Sequence, residues 1–413
     1  MDARRLDPRA MLETFRSVVR FQEIETDPVT RRLRRCATVD DLRRVARRRL
    51  PRGVFDYIDG GAEDERTLGR NSSDFSSLRF RPRVLRDVSS IDTSVDAFGR
   101  THPLPLMLAP TGFTRITASP GELAVARAAE RAGLSYSLST MATRSIEEVA
   151  AAAPGGDHWF QVYTWKDRGL VEEMVSRARE AGYRGLWLTV DTAVLGRRER
   201  DVRRGYTIPP KVGPGTIVDG VLHPAWTLDF ITNPPIVFAN VVGLNDEDGS
   251  DPVSLAEHMM RQFDQALSWS DVDWLRGIWD GPLVLKGIQR VDDAVRARDA
   301  GVDGVALSNH GGRQLDDAPS PVSLIEPVRE AVGDGFTIVC DGGVRRGSDI
   351  VKALALGADL CSIGRAYLYA MGAAGERGVD HLLGFLQEGL ERTMALTGSR
   401  RLDEIDRDLV EWV

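Results

Sequence analysis

Short apolar segments alternate with amphipathic segments along most of the chain beyond Pro103. Eight of the apolar segments are rich in Val, Ile and Leu, as is typical of strands buried on both faces of a parallel sheet. These segments are residues 105–109, 135–139, 159–163, 185–190, 283–286, 304–308, 337–340 and 360–363. Because helical patterns separate them, the sequence predicts an α/β fold.

Four of the intervening segments carry a helical pattern that stops at a glycine. They are residues 121–132, 170–181, 291–300 and 348–356. Glycine directly after a helical pattern is a usual C-terminal stop signal. Eight strands that alternate with helices predict a closed (β/α)8 TIM barrel. An open, doubly wound parallel sheet is the structural alternative.

Two parts of the chain do not follow this alternation. Residues 1–50 precede the barrel and are charged, with a helical pattern. We therefore predict an N-terminal extension over residues 1–37 and a barrel domain over residues 38–413. Residues 202–280 form a long insertion after the fourth predicted strand. Insertions of this length in a compact domain usually have a function or are mobile.

The charge balance argues against a nucleic-acid partner. The net charge is −7, whereas a nucleic-acid-binding domain usually carries a basic surface. The strongest basic run is Arg31–Arg35, followed by further arginines up to Arg49. A solvated helix face explains this run, and attraction to an anionic membrane surface is the alternative explanation.

The cysteines and the apolar segments indicate a cytoplasmic protein. Cys36, Cys340 and Cys361 are far apart and follow no metal-ligand spacing, so we expect no metal site. Three cysteines without a disulfide pattern suit a reducing compartment. We find neither a signal peptide nor an apolar stretch long enough to span a membrane.

Polar and glycine-rich clusters follow the predicted strands directly. Such clusters are expected at the C-terminal ends of barrel strands, where the active sites of these barrels lie. In chain order the clusters are Pro110–Gly112, Ser139, Gln161–Tyr163, Thr189–Asp191 with Arg197 and Arg198, Lys286, Ser308–Arg313, Asp341–Gly347 and Gly364–Arg365. A single cluster is weak evidence, but eight clusters at one end of a barrel predict an active site.

The last two clusters predict a phosphate site. Residues 341–347 supply closely spaced backbone N–H groups and arginines before a predicted helix, and Gly364–Arg365 adds another N–H group and a guanidinium. The loops after strands seven and eight commonly bind phosphate in this fold. Surface charge is the alternative explanation for Arg345 and Arg346.

Individual side chains indicate a redox reaction on a hydroxy acid. Lys286 ends a buried strand, where it could stabilise negative charge on a reduced flavin ring, pair with a carboxylate or form a Schiff base. His310 could take the proton of a substrate hydroxyl, oriented by Asp191, for which a helix N-cap is the alternative role. Arg313 could bind a carboxylate in a bidentate manner, and Tyr57 could assist.

The sequence resembles the FMN-dependent L-2-hydroxy acid oxidases and dehydrogenases, a family that includes glycolate oxidase, mandelate dehydrogenase and bacterial L-lactate dehydrogenase. The most specific similarities are Ser308–Asp316, Asp341–Gly347 and Phe55–Glu65. The resemblance covers about residues 38 to 400. It implies bound FMN, a 2-hydroxy acid substrate, an electron acceptor and a homotetramer.

The resemblance also implies roles for single residues. His310 resembles the base, Asp191 its partner, and Tyr163 the tyrosine near the substrate hydroxyl. The residues similar to those that bind substrate are Tyr57, Arg313, Arg198 and Tyr163. Those similar to FMN-binding residues are Pro110, Thr111, Gly112, Ser139, Gln161, Thr189, Lys286, Ser308, Asp341, Gly343, Arg345, Gly364 and Arg365.

Two departures from the family bear on the acceptor and the substrate. Gly112 stands where many oxidases carry Ala, which favours a dehydrogenase that reacts slowly with O2. Met141 stands where plant glycolate oxidases carry Trp, which leaves the substrate side chain open. We predict oxidation of L-lactate with a quinone or another acceptor. The alternatives are an oxidase that produces hydrogen peroxide and a mandelate-type dehydrogenase.

The insertion resembles that of bacterial quinone-linked lactate dehydrogenases over His223–Asn240. Trp226, Phe230 and Phe238 lie in a stretch with little charge, and we expect them to be exposed. We therefore hypothesise that residues 215–245 contact the inner face of the cell membrane peripherally. Two rival functions stay open: a different FMN-dependent barrel chemistry, such as an isomerase, and a flavin- or phosphate-binding protein without catalysis.

Overall fold

The computed structural model describes residues 25–204, 213–241 and 262–413, together with Phe15 and Ser17. The chain divides into two compact units, residues 1–36 and 37–413. The first unit contains helix α1 (Pro28–Leu33), which begins where the Asp27 carboxylate accepts the N–H groups of Val29 and Thr30. Parts of the predicted extension and insertion, including residues 205–212 and 242–261, lie outside the described residues.

The second unit has strands of two kinds, a set of parallel strands and several short antiparallel ones. In chain order they are β1 (Leu78–Phe80), β2 (Val95–Ala97), β3 (Arg100–His102), β4 (Leu106–Leu108), β5 (Ser135–Ser139), β6 (Asp157–Tyr163), β7 (Gly185–Thr189), β8 (Leu283–Ile288), β9 (Gly304–Ser308), β10 (Thr337–Asp341), β11 (Leu360–Ile363) and β12 (Val410–Trp412). Strands β1 and β12 form one antiparallel pair, and β2 and β3 form another.

Helices flank and separate these strands. They are α2 (Val39–Arg49), α3 (Arg52–Asp59), α4 (Arg66–Ser76), α5 (Glu122–Arg131), α6 (Ile146–Ala152), α7 (Arg168–Glu180), α8 (Glu199–Arg204), α9 (Pro214–Leu222), α10 (Pro224–Thr232), α11 (Trp269–Ile278), α12 (Val291–Asp299), α13 (Pro321–Val332), α14 (Gly347–Ala355), α15 (Arg365–Ala374) and α16 (Glu376–Thr397). The four predicted helices correspond to α5, α7, α12 and α14, and their ends agree within two residues.

Strands β4 to β11 form a closed parallel barrel. Each strand pairs with the next, and β11 pairs with β4, where Cys361 lies opposite Leu106. The prediction of a (β/α)8 barrel is therefore confirmed, and the alternative of an open sheet is wrong. All eight predicted strands are present, and their bounds agree with the structure within two residues.

Large side chains fill the barrel and close its N-terminal end. Trp159 and Trp187 pack inside it with ring centroids 6.0 Å apart, and both are fully buried. The β2–β3 hairpin lies across the same end, where the Phe98 ring meets Trp159 edge to face at 4.9 Å. A Cβ on Gly304, the first residue of β9, would lie 3.3 Å from the Phe98 ring. Only the C-terminal end of the barrel is therefore left for a ligand.

The register of the strands brings the predicted site residues together. Ser139 lies opposite Gln161, Thr189 opposite Lys286, and Ser308 opposite Asp341. Each of these residues is at or near the last position of its strand. Because the strands are parallel and adjacent, residues far apart in sequence meet on one rim.

Helices α9 and α10 form a surface hairpin, which we call the apolar hairpin, within the predicted insertion. The Trp226 indole N–H donates to the Ile116 carbonyl at 2.8 Å, and Asp229 accepts the backbone N–H and the hydroxyl of Ser119. Phe230 is 46% exposed, as expected. The expectation was wrong for Phe238, which is buried and meets Phe113 edge to face at 4.7 Å.

None of the helices in the described parts of the chain combines the length and the apolar character needed to cross a bilayer.

Trp159→Ala tests the contribution of the barrel interior to stability. The indole is fully buried among the strands. We expect its removal to lower the free energy of unfolding by about 3–5 kcal/mol, because the lost apolar contacts leave a cavity. Denaturant unfolding followed by circular dichroism measures this loss. Trp412→Ala is the matched control, since that indole is 40% exposed, and an equal loss in both variants would contradict the assignment.

Candidate active site

A cavity of about 450 Å³ lies at the C-terminal ends of the barrel strands. Fifteen of the nineteen site residues that the sequence predicts line it. They are Tyr57, Pro110, Thr111, Gly112, Ser139, Tyr163, Arg198, Lys286, His310, Arg313, Asp341, Gly343, Arg345, Gly364 and Arg365. The other four, Gln161, Thr189, Asp191 and Ser308, are bonded to or paired with these residues.

His310 and Asp191 form a hydrogen-bonded pair. The Nδ1 atom of His310 lies 3.0 Å from Oδ1 of Asp191, whose side chain is only 4% exposed. His310 has φ = 58°, and Gly311 and Gly312 after it also have positive φ. A non-glycine residue in this region costs free energy and is common at functional sites. The pair can orient the imidazole, as expected from the sequence, and Asp191 caps no described helix.

A glycine makes room for this pair. Gly287 follows Lys286 and has φ = 112°. A Cβ there would lie 2.8 Å from the side chain of Asp191. The Asp191 carboxylate can therefore pack against the end of β8 only because residue 287 has no side chain.

Lys286, Ser308 and Asp341 form a buried network below the cavity. The Lys286 ammonium lies 2.7 Å from Oδ2 of Asp341 and donates to the Ser308 hydroxyl at 3.1 Å. Ser308 donates to Asp341 and accepts the backbone N–H of His310. Burial by itself would lower the pKa of Lys286, but the charges of Asp341 and Asp191 outweigh burial and raise it. The lysine therefore stays protonated, and the carboxylate pairing that the sequence left open is present.

Arg313 provides a buried positive charge beside Tyr57. Its NH1 donates to the carbonyls of Tyr57 and Gly60 at 2.6 and 3.1 Å, and its guanidinium carbon lies 4.9 Å from the centre of the Tyr57 ring. Burial and the nearby charges of Arg198 and Arg365 lower the pKa of Arg313 to about 10. An anion in the cavity would offset this repulsion, so the arrangement favours a bound carboxylate.

Arg198 and Tyr163 complete the walls near Arg313. Arg198 donates to Asp201 at 2.9 Å, and its guanidinium lies 5.8 Å from the Tyr57 ring. Burial, together with the charge of Asp191, raises the pKa of Tyr163, so its phenol is neutral and can donate a hydrogen bond. The Tyr163 ring meets Phe263 edge to face at 5.0 Å.

One helix begins at the other end of the cavity. Helix α15 begins at Arg365, which lines the cavity, so the first-turn N–H groups that a helix leaves unpaired lie there. At the start of α14 the Asp349 carboxylate accepts the backbone N–H groups of Arg345 and Arg346. Gly342 and Gly343 have φ values of 135° and 82°, and a Cβ on Gly343 would lie 1.8 Å from the Asn71 carbonyl oxygen. This loop therefore requires glycine, and it suits an anion such as phosphate.

Arg365 lines the cavity, and it also holds two segments of backbone together. Its guanidinium donates to the carbonyls of Ile58, Gly60 and Gly311 at 2.9–3.1 Å. The side chain thus ties the end of α3 to the loop after β9, while it also lines the cavity.

Several residues that line the cavity were missed from the sequence, and three of them, Phe113, Phe263 and Asp201, contact predicted site residues. Phe113 and Phe263 are apolar residues without a motif, and nothing in the sequence separates them from core aromatics. Asp201 had a usable signal, because it lies three residues after Arg198 on a helix, a spacing that favours an ion pair.

A family model described as FMN-dependent dehydrogenase matches residues 46–412. The chain belongs to the FMN-dependent dehydrogenases. It is 44% identical over 388 residues to a putative L-lactate dehydrogenase of Mycobacterium tuberculosis, a match that covers 94% of this chain and 92% of that protein. It is 42% identical over 378 residues to an L-lactate dehydrogenase of a Caulobacter species, covering 91% of this chain and 98% of that protein.

A solved structure with the same fold is the monotopic membrane protein (S)-mandelate dehydrogenase. The TM-score is 0.88 and the sequence identity is 40%, over 92% of this chain and 100% of that chain. The family resemblance and the TIM-barrel fold are therefore confirmed, and so is FMN-dependent oxidation of a 2-hydroxy acid as the activity.

The cavity of this FMN-dependent dehydrogenase fits its cofactor. Gln161 accepts a hydrogen bond from Ser139 at 2.9 Å, but its buried amide nitrogen donates to no group among the described residues. A buried donor without an acceptor is costly, so a ligand that accepts this bond is expected. The carbonyl groups of a flavin are suitable acceptors, and the start of α15 suits its phosphate.

Gln161→Leu tests whether this orphaned donor serves the cofactor. We expect the dissociation constant for FMN to rise roughly three- to tenfold, because the variant lacks one hydrogen bond to the ligand. Quenching of FMN fluorescence on titration into the apoprotein measures it. Gln387→Leu, on the exposed face of α16, is the control. An unchanged affinity in the Gln161 variant would exclude the contact.

Proposed function

We propose that this FMN-dependent dehydrogenase oxidises L-lactate, with His310 as the base. The observation that supports this proposal is the pairing of His310 with the buried Asp191 in the same cavity as the carboxylate-binding set Arg313, Tyr57 and Arg198. The relatives support the substrate, because one is named an L-lactate dehydrogenase and the other a putative L-lactate dehydrogenase.

The cationic end of the cavity would bind the substrate carboxylate. Arg313 provides a guanidinium with a lowered pKa, Arg198 lies across the Tyr57 ring from it, and the Tyr57 hydroxyl can add a hydrogen bond. Two cations and a phenol around one anion also fix the orientation of a small 2-hydroxy acid, which places its Cα–OH toward His310.

The proton chemistry is assigned to His310. Its Nδ1–H is engaged by Asp191, so Nε2 is the atom that takes the proton of the substrate hydroxyl. The imidazolium that results is stabilised by the Asp191 carboxylate. FMN, when bound, supplies the acceptor for the two electrons that leave Cα. Lys286 holds a positive charge at the end of β8, where it can stabilise negative charge.

A mandelate-type dehydrogenase is the second candidate. Structures of (S)-mandelate dehydrogenase share the fold, and the residues at positions 112 and 141 are the small Gly112 and the flexible Met141. A Cβ on Gly112 would lie 3.1 Å from Met141, so these two residues pack closely beside the cavity.

The electron acceptor is proposed to be a quinone, with O2 as the alternative. The homotetramer implied by the family stays a prediction.

Anaerobic flavin absorbance tests the reaction and the role of His310 together. We expect L-lactate to bleach the flavin band of the wild-type holoprotein. His310→Gln should retain FMN, since its side chain is not required for the cradle, but reduce its flavin about 10²–10⁴-fold more slowly because it lacks the base. Stopped-flow absorbance measures both rates.

Each result has a distinct meaning. Bleaching by mandelate but not by lactate would move the substrate to the larger acid. If no hydroxy acid bleached the wild-type flavin, an isomerase or a non-catalytic flavin protein would replace the proposal. Near-normal reduction in the His310→Gln variant would assign the base elsewhere. Exposure of the reduced protein to air then distinguishes an oxidase from a dehydrogenase.

We also propose that the apolar hairpin binds a lipid surface. Its exposed face carries several large aliphatic side chains, each 58–71% exposed: Ile217, Val218, Val221, Leu222, Leu228 and Ile231. Its two carboxylates point toward the barrel unit, since Asp219 accepts the Arg52 backbone N–H and Asp229 binds Ser119. The outer face is therefore apolar and uncharged, as in segments that lie in a membrane interface.

Val221→Glu tests the lipid contact. A carboxylate on the apolar face should weaken binding, because its charge must be desolvated at the lipid surface. We expect the wild-type holoprotein to sediment with phosphatidylglycerol vesicles at low salt and the variant to stay in the supernatant. Leu396→Glu, at a residue 71% exposed on α16, is the matched control and should still sediment. If the wild-type protein does not sediment with the vesicles, the proposed lipid contact is refuted.

A further inference from the structure

Asp59 is a buried carboxylate that the proposed reaction does not use. It is the last residue of α3, two positions after Tyr57, and its side chain is 3% exposed. Arg43 donates to it through Nε and NH2 at 2.5 and 2.9 Å, the Tyr369 hydroxyl donates at 2.6 Å, and Arg200 donates through NH1 at 2.7 Å. Its motif, Phe55–Glu65, was singled out by the sequence without a role for this residue.

The donors of Asp59 come from three different helices. Arg43 belongs to α2, Arg200 to α8 and Tyr369 to α15. Burial alone would raise the pKa of Asp59, but these donors outweigh it and hold the pKa well below its usual range. The carboxylate is therefore ionised across the neutral range, and it joins four helices at one point.

One of these connections leads to the substrate-binding arginine. Arg200 lies two residues after Arg198, in the first turn of α8, and it binds Glu65 as well as Asp59. Glu65 in turn accepts the backbone N–H of Gly61 at 3.0 Å. Arg200 thus fixes the start of α8 against the end of α3, which is the segment that carries Tyr57.

The other connection leads to Arg313. The carbonyls of Tyr57 and Gly60, on either side of Asp59, accept the two hydrogen bonds of Arg313 NH1. If the end of α3 moved, the Tyr57 ring and the partners of Arg313 would move with it. The three groups assigned to the substrate carboxylate therefore share one anchor outside the cavity.

We propose that Asp59 is a positioning residue for substrate binding. It acts through Arg200 and the end of α3. In this way it keeps Tyr57, Arg198 and Arg313 in the relative positions that bind the substrate carboxylate. This inference rests on the proposed function, because it assumes that these three residues bind the carboxylate. Asp59 itself lies outside the set that lines the cavity, so its effect is on geometry and not on contact with the substrate.

The test uses the holoprotein and separates binding from chemistry. In Asp59→Asn we expect KM for L-lactate to rise about ten- to a hundredfold, because misplaced binding groups lose affinity. The dissociation constant for oxalate, read from the flavin absorbance without turnover, should rise in parallel. The limiting rate of anaerobic flavin reduction should change much less, since the base His310 is untouched.

Asp157→Asn is the matched control for a purely structural effect. Asp157 is also a buried carboxylate, paired with Arg184 at 2.8 Å, but it lies at the N-terminal start of β6 and far from the cavity. We expect both variants to lower the melting temperature and only Asp59→Asn to raise KM and the oxalate dissociation constant. Equal KM values in the two variants would overturn the inference.

Arg200→Gln keeps the test decisive if Asp59→Asn does not fold. It leaves Asp59 paired with Arg43 and Tyr369 and removes the links from α8 to Asp59 and to Glu65. The same rise in KM, with a small change in melting temperature, is expected. A normal KM and normal oxalate binding in Arg200→Gln would refute the positioning role. If the wild-type flavin is not reduced by any hydroxy acid, the proposed function fails, while the oxalate titration still tests the anchor.

Discussion

Closure of the barrel is the constraint on which the rest of the structure depends. The hydrogen bonds between β11 and β4 join the last strand to the first, so all eight strands end on one rim. This closure brings Thr111, which follows β4, next to Gly364, which follows β11. A Cβ on Gly364 would lie 3.3 Å from Thr111. An open sheet with the same strands would leave these two ends apart, and the cavity would have no wall between them.

The C-terminal rim of the barrel brings together charged side chains that water would otherwise solvate. Hydrogen bonds and ion pairs between them must compensate for the free-energy cost of their burial. Lys286 is neutralised by Asp341, whose own pKa is lowered despite its burial by Lys286 and two hydroxyl donors. Arg313 differs from Lys286 in its partners, because its described hydrogen bonds go to carbonyl groups. Burial, together with the charge of Arg198, lowers the pKa of Arg313 to about 10. The charge of Lys286 is thus compensated by a carboxylate in direct contact, whereas that of Arg313 is compensated by carbonyl groups and by the more distant Asp201.

The cavity and the apolar hairpin both contact the segment after β4. Phe113, with φ = 58°, contacts Tyr57 on one side and Phe238 on the other, with ring centroids 6.4 and 4.7 Å apart. The same segment accepts the Trp226 indole N–H at the Ile116 carbonyl. The apolar hairpin is therefore attached to the same segment that contributes Phe113 to the cavity wall.

Sequence patterns determined the barrel strands of this protein and identified several residues of its candidate active site. Continuous apolar segments of four to six residues are typical of strands buried on both faces, so the eight strands and most of their bounds followed from this pattern alone. The motif residues His310, Lys286 and Arg313 were recognisable because charged or ionisable groups at the end of a buried strand require a partner or a ligand.

Tertiary structure decided which of those partners were used. Lys286 pairs with Asp341 because parallel register places Asp341 beside Ser308, a relation between residues 33 positions apart that no local pattern encodes. Phe238 is buried, although its sequence surroundings suggested exposure, because Phe113 meets it from another loop. The Asp59 carboxylate accepts hydrogen bonds from three side chains on helices that are far apart in the chain. Such contacts depend on distances across the fold, and sequence spacing does not carry that information.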